Sequence, residues 1–208
     1  MNINKYDNTI DNNMLLSKVD NIFIQILTGI MFDDLDRVKH KISDCLYDRY
    51  KNILIYNNQN NLRQMFDELN IKNSQISFIN KKDDKLIVTV SLVARYMNYF
   101  VNKETGEYVS GNNQKRMEYP YIITLEKSLN AKTMGVSMHC PGCGNPMNVN
   151  AYGVCSYCGT KFNTEDFDYV VTNIESIKDV LWHLLICYNY LRIGFNTDIH
   201  RKEDIRDD

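Results

Sequence analysis

The sequence predicts an α+β protein, with helices packed on an antiparallel sheet and a small cysteine-rich module beside them. Three observations predict it. Apolar residues recur at helical spacing through the first part of the chain. Later they recur at every second position across long stretches. Four of the six cysteines then fall between residues 140 and 158.

The bulk properties set the frame. The chain has 208 residues, 44% of them hydrophobic and 24% charged, with a formal net charge of −2. That length supports one sizeable core and a small satellite. The charge balance argues against a protein held on nucleic acid by bulk positive charge. The opening "MNINKYDNTIDNN" has one lysine and no apolar core, so it reads as a frayed, polar lead-in rather than a secretory signal. No uninterrupted apolar run reaches the roughly 18–20 residues that cross a bilayer. The expectation is a cytoplasmic protein without a transmembrane segment.

The first element is a helix from Asp11 to Phe32. Leu15, Val19, Ile22, Ile26 and Ile30 lie on one face, widened by Phe23, Leu27 and Met31. The run "DDLDRVKHKI" predicts a short second helix with Leu35, Val38 and Ile42 on one side. Ser43 reads as the N-cap of a third helix, with Leu46, Tyr50 and Leu54 on its face. Residues 62–70, "LRQMFDELN", predict a further helical turn or two. Cys45 and Cys187 sit in apolar helical patterns as small buried hydrophobes.

The period then changes. "SQISFIN" predicts a strand, and 81–84 a turn. From Leu86 to Tyr96 a long strand alternates, with Val88, Val90, Leu92 and Ala94 on one side. Residues 102–108 predict a hairpin loop. Met117, Tyr119, Tyr121, Ile123 and Leu125 line one side of the next strand, and Pro120 marks an edge or a bend. Phe167, Tyr169 and Val171 predict a short strand. A last helix is expected from about 174 to 191, followed by a charged tail.

The stretch "HCPGCGNPMNVNAYGVCSYCGT" carries the clearest chemistry. Cys140 and Cys143 form one Cys-x-x-Cys pair, and Cys155 and Cys158 the other. Two residues between cysteines let one tight turn aim both sulfurs at a single ion. Gly144 and Gly159 follow each pair, where positive φ is often needed. Four thiolates complete the tetrahedral shell of Zn²⁺ and leave no site for water or substrate, so the metal is structural. Redox use would need a βαβ neighbour, and disulfides would need an oxidising compartment. His139 stands as a neighbour that could replace a ligand. Across 136–168 the only cation is Lys161, so the ribbon predicts protein contact or packing rather than phosphate binding.

Other features weigh less. The chain holds 14 tyrosines, several in "RYMNYF" and "EYPYI", which suit half-buried strands or an aromatic-lined cavity. His183 reads as a core histidine. No glycine-rich phosphate loop, Gly-x-Ser-x-Gly elbow or His-Glu-x-x-His is present, and no nucleophile–base pair emerges.

The order of elements resembles the Tim44-like domain family, the fold of the C-terminal domain of the mitochondrial subunit that tethers the import motor to the inner membrane. The resemblance rests on "IFIQILTGIMFDDLDRVKHKISDCLYDRYKNIL", "DKLIVTVSLVARYMNYFVNKETGEYVSGN" and "MEYPYIITLEKS", and on the ribbon "CPGCGNPMNVNAYGVCSYCGT" carried behind the domain in bacterial relatives. It spans about 12–175. The resemblance implies a cone similar to nuclear transport factor two-like folds, in which a curved sheet wraps the first helix around an apolar pocket. Val19, Phe23, Ile26 and Leu27 would face Val90, Leu92, Tyr121 and Ile123 there. It also implies peripheral association with a membrane lipid or a protein partner. The chain is thus expected to divide into a flexible lead-in (1–11), the Tim44-like domain (12–130), the zinc ribbon (136–165), a strand and helix (166–193) and a tail (194–208). The leading function is a non-enzymatic binding or scaffold protein. The alternative is a small-molecule-binding protein or enzyme of the same cone-shaped class, marked by a titratable group in the cavity.

Overall fold

The computed structural model describes residues 1–129, 157–158 and 168–177. The order is helix α1 (Asn12–Phe32), helix α2 (Asp44–Gln59), and strands β1 (Leu62–Lys82), β2 (Lys85–Asn102), β3 (Tyr108–Ser128) and β4 (Val170–Ser176), with short 3-10 turns at Ile3–Lys5 and Asp36–Val38. The strands form one antiparallel meander in the order β1-β2-β3-β4. This is the α+β arrangement expected.

Helix α1 starts where the Asp11 side chain accepts the Met14 N–H at 2.8 Å. It stops at Asp33, whose backbone is left-handed with φ 56. It is long and apolar enough in composition to cross a membrane. In the fold it is instead a core helix, with Leu15, Val19, Ile22, Phe23, Ile26 and Ile30 buried. Its polar residues are engaged too: Lys18 pairs with Asp168, and Asp20 accepts from Ser74 at 3.1 Å. Ser43 caps α2 as expected, its hydroxyl accepting the Leu46 N–H.

The inner face of the sheet follows the period-two pattern. Leu86, Val88, Val90, Leu92, Ala94 and Tyr96 are at most 1% exposed. They pair in register with Ser74, Ile76 and Ile79 of β1, and with Tyr119, Tyr121, Ile123 and Leu125 of β3. Pro120 sits just beyond the last β3–β4 pair, Tyr121 with Ser176, so its missing N–H faces an unpaired stretch of edge.

Several expectations are corrected. Residues 62–70 are not helical but open β1, where Leu62–Asp67 pair with Met97–Asn102. Cross-strand partners override a composition rich in helix formers. The helix expected in "DDLDRVKHKI" shrinks to one 3-10 turn. Leu35, Val38 and Ile42 are buried nonetheless, and Ile42 bridges in parallel to Val171. Cys45 is exposed rather than buried. Ile174 lies in β4, not in a helix. The lead-in is docked rather than frayed: Ile3 is fully buried, its N–H bonded to the Asn12 side chain at 2.8 Å. Finally, β4 follows the cysteine segment in sequence yet pairs with β3, so the sheet does not close at residue 130. The cysteine segment is an insertion between two neighbouring strands. The remainder of the helix expected up to residue 191 lies outside the described residues, as does the tail.

Candidate functional site

The eight side chains proposed to line a cavity come together. Val19, Phe23, Ile26 and Leu27 of α1 meet Val90, Leu92 and Ile123 in one cluster, each 6% exposed or less, with half-buried Tyr121 at its margin. Their near-complete exclusion from solvent describes a packed core in this conformation.

Around Tyr121 the core continues into an aromatic group. Phe23 lies 4.8 Å from the Tyr121 ring, Tyr96 stacks on Tyr119 at 4.2 Å, and Phe66 meets Tyr96 edge-on at 5.4 Å. The Tyr96 and Tyr121 hydroxyls hydrogen-bond each other. Burial raises the Tyr50 and Tyr96 phenols, and the neighbouring Tyr121 hydroxyl adds to it, so both stay neutral. The sequence shows these tyrosines on their strands. It does not show that Phe66, expected on a helix, would join them.

Polar chemistry is sparse inside. The Asp20 carboxyl is raised by burial, only partly offset by the Ser74 hydroxyl. One of its oxygens has no hydrogen-bond partner. Among the described residues it is the acid that answers the description of a titratable group at the helix–sheet seam.

A second feature was not legible in the sequence. A groove of about 720 Å³ runs beside the outer flank of α1. Ile10, Met14 and Ile22 form its apolar part, and Lys18, Lys41 and His40 stand along it. Met14 is 58% exposed. The N-terminal segment contributes Ile10 to one end of the groove, and farther along that segment, outside the groove, Asp7 accepts from Lys127 at 2.6 Å and from the Tyr169 hydroxyl at 3.0 Å. Burial pulls the Asp7 carboxyl up. Hydrogen bonds from Lys127, Thr9 and Tyr169 outweigh it and hold the group at about 2. Sequence reading misses the groove because it forms only where Asp168 and Tyr169, just ahead of β4, come beside α1.

Of the predicted zinc ligands, Cys140, Cys143 and Cys155 lie outside the described residues, and Cys158 is at the surface in a turn with Tyr157. Among the described residues no three metal-ligating side chains meet.

Comparison with known proteins places this geometry. No curated protein matches the chain. A solved structure of the intermembrane space region of the chloroplast protein ARC6 is similar at 8% identity and a TM-score of 0.38, covering 77% of this chain and 95% of that one. The model of the Tim44-like domain matches residues 1–138, which include α1, α2 and the three long strands. The chain belongs to the Tim44-like domain family.

Proposed function

We propose that this chain is a non-enzymatic scaffold that holds a protein or lipid partner at a membrane periphery, using the groove beside α1, with a zinc ribbon as a structural accessory. The observation that carries the proposal is the groove itself. Its apolar floor and exposed Met14 suit an extended apolar segment, and Lys18, paired with Asp168, and Lys41, donating to Gln25 at 2.7 Å, give it a polar rim. Family membership supports a binding role. The packed interior supports it indirectly: a ligand would reach Val90 only after α1 left the sheet, whereas the groove is open.

The zinc reading rests on the donor set. Cys140, Cys143, Cys155 and Cys158 supply four thiolates at the spacing of two zinc knuckles, and bound zinc would supply folding energy to the segment and no reactive site. The cone resembling nuclear transport factor two-like folds remains part of the same proposal.

Vesicle flotation and native pull-down of the full chain test the groove. The expected result is partner capture that Met14→Glu reduces about tenfold while the melting temperature holds. Capture unchanged by Met14→Glu, but lost in a variant of the Asp20 seam, would instead support the small-molecule alternative.

A further inference from the structure

We infer that the outer stripe of α1, with the groove beside it, docks a second copy of this chain, the two α1 helices running antiparallel. Six residues of α1 point away from its core face: Met14, Ser17, Asn21, Gln25, Thr28 and Phe32. Steps of three and four keep them on one line along the helix, and none is charged. Met14 is 58% exposed and Phe32 is 71% exposed, the two large apolar side chains that α1 leaves in solvent. The rest of this long apolar helix is packed away, so its two ends stand out as sticky points on a neutral stripe.

The order along the stripe is self-complementary. It reads apolar, hydroxyl, amide, amide, hydroxyl, apolar. Met14 and Phe32 each lie nine residues from Phe23, and Asn21 and Gln25 each lie two residues from it. Ser17 and Thr28 fall within one residue of the same symmetry. A two-fold axis crossing α1 at the level of Phe23 therefore sets Met14 of one copy on Phe32 of the other, twice, with amide against amide between them. An isologous interface demands this property, since residue i must meet j wherever j meets i.

The flank of α1 supplies depth and neutrality. Beside Met14 lies the groove of about 720 Å³ with its apolar Ile10 and Ile22, and beside Phe32 lies a smaller cleft of about 330 Å³ that Gln25 shares with it. The two-fold lays the Phe32 end of one copy over the Met14 end of the other, so each Phe32 ring meets an apolar recess. The cations along this flank are engaged within the chain: Lys18 with Asp168, Arg37 with Asp34 at 3.2 Å, and Lys41 with Gln25 at 2.7 Å. A second copy therefore covers no lone ion, whereas a charged ligand would find its counter-ions taken. The helix runs about 30 Å and is about 10 Å across. With the chain at 33–41 adding a similar width, each copy offers about 600 Å², near the lower limit for a specific interface. The dimer is expected to be weak and reversible, with a Kd on the order of 10 µM.

Sedimentation velocity of the full chain, at concentrations that bracket that Kd, tests the contact. Met14→Lys and Phe32→Glu are each expected to weaken dimerisation about tenfold. The melting temperature should hold, because both side chains stand in solvent in the single copy. Combining Met14→Lys with Phe32→Glu in one chain is expected to restore dimerisation and make it salt-sensitive, because antiparallel pairing sets each lysine on a glutamate. A parallel pairing would set lysine on lysine, so a combined variant weaker than both single ones would overturn the inference. A chain that stays monomeric, or a dimer indifferent to both single changes, would overturn it too. A monomer whose partner capture still falls with Met14→Glu would reject self-docking and leave the groove to a different partner. Dimerisation that follows the expected pattern while capture ignores Met14→Glu would support self-docking and reject the partner reading.

Discussion

At the scale of single residues, the fold's polar anchors carry its pH dependence. The Asp7 carboxyl is held at about 2 in place of 3.8. Its folded-state value is depressed, so its contribution is complete above the unfolded value and disappears as pH falls from about 4 towards 2. At neutral pH it amounts to about 2 kcal/mol. Urea unfolding across that range should show a drop that Asp7→Asn removes; parallel pH profiles for the two proteins would refute it. The tyrosines behave oppositely. A hydrogen bond to Asp67, then burial, pushes Tyr99 up to about 12, and burial and Asp7 raise Tyr169 further. Raised phenols stabilise fully below the ordinary value of 10.0 and cease to as pH climbs through their folded values. Absorbance titration should show the buried set ionising only as structure is lost. A single smooth transition of all 14 tyrosines would contradict the packing.

At the scale of elements, α1 and β2 carry the core. Val90 is fully buried against Ile123 and Ile76. Val90→Trp should therefore cost roughly 1–3 kcal/mol by overpacking, measured as a fall in melting temperature. Tolerance of the tryptophan would indicate a cavity. Gly29 makes a sharper case. A Cβ there would lie 2.6 Å from the Asp34 carbonyl, because the chain folds back where α1 ends. Gly29→Ala should destabilise by about 1 kcal/mol or more despite alanine's helix preference. The period-two strands and α1 were legible because burial on one face imprints a period on the sequence. The opening of β1 was not. Glu68 has a left-handed backbone, and a bulge interrupts the register between Asp67 and Asn70, which breaks the alternation that marks a strand. The docked lead-in was hidden for another reason: a single anchor, Ile3, with side-chain bonds makes no periodic pattern.

For the whole molecule, the zinc proposal predicts one Zn²⁺ per chain by metal analysis. Metal-free protein with two disulfides would refute it. Cys143→Ser should abolish the metal while leaving most of the helical and strand signal, because the described helices and strands share a large core of their own, from Leu15 to Leu125 and from Tyr169 to Ile174. The ribbon's single cation, Lys161, and the net charge of −2 predict no salt-sensitive nucleic-acid shift at physiological ionic strength. The candidate site was only partly legible from the whole chain. The proposed zinc ligands rest on spacing within one short segment, whereas the groove brings α1 beside Asp168, 150 residues beyond Lys18.

The place of the cysteine segment between β3 and β4 has a polymer consequence. The last paired residues, Glu126 and Val170, are neighbours in the sheet but are joined by a connection of about forty residues. Closing a flexible loop costs entropy that grows with the logarithm of its length. A metal-clipped module would shorten the free part of that loop to about ten residues and so favour β4 by about 1 kcal/mol. Strand β4 also holds Ser43 through the Val171 carbonyl and Arg49 through the Ile174 carbonyl. The metal would then act as a remote tension on the edge of the sheet and the start of α2. Chelation should lower the melting temperature of the whole domain by about 2–4 °C, and a melting curve indifferent to chelator would show that the two modules are uncoupled.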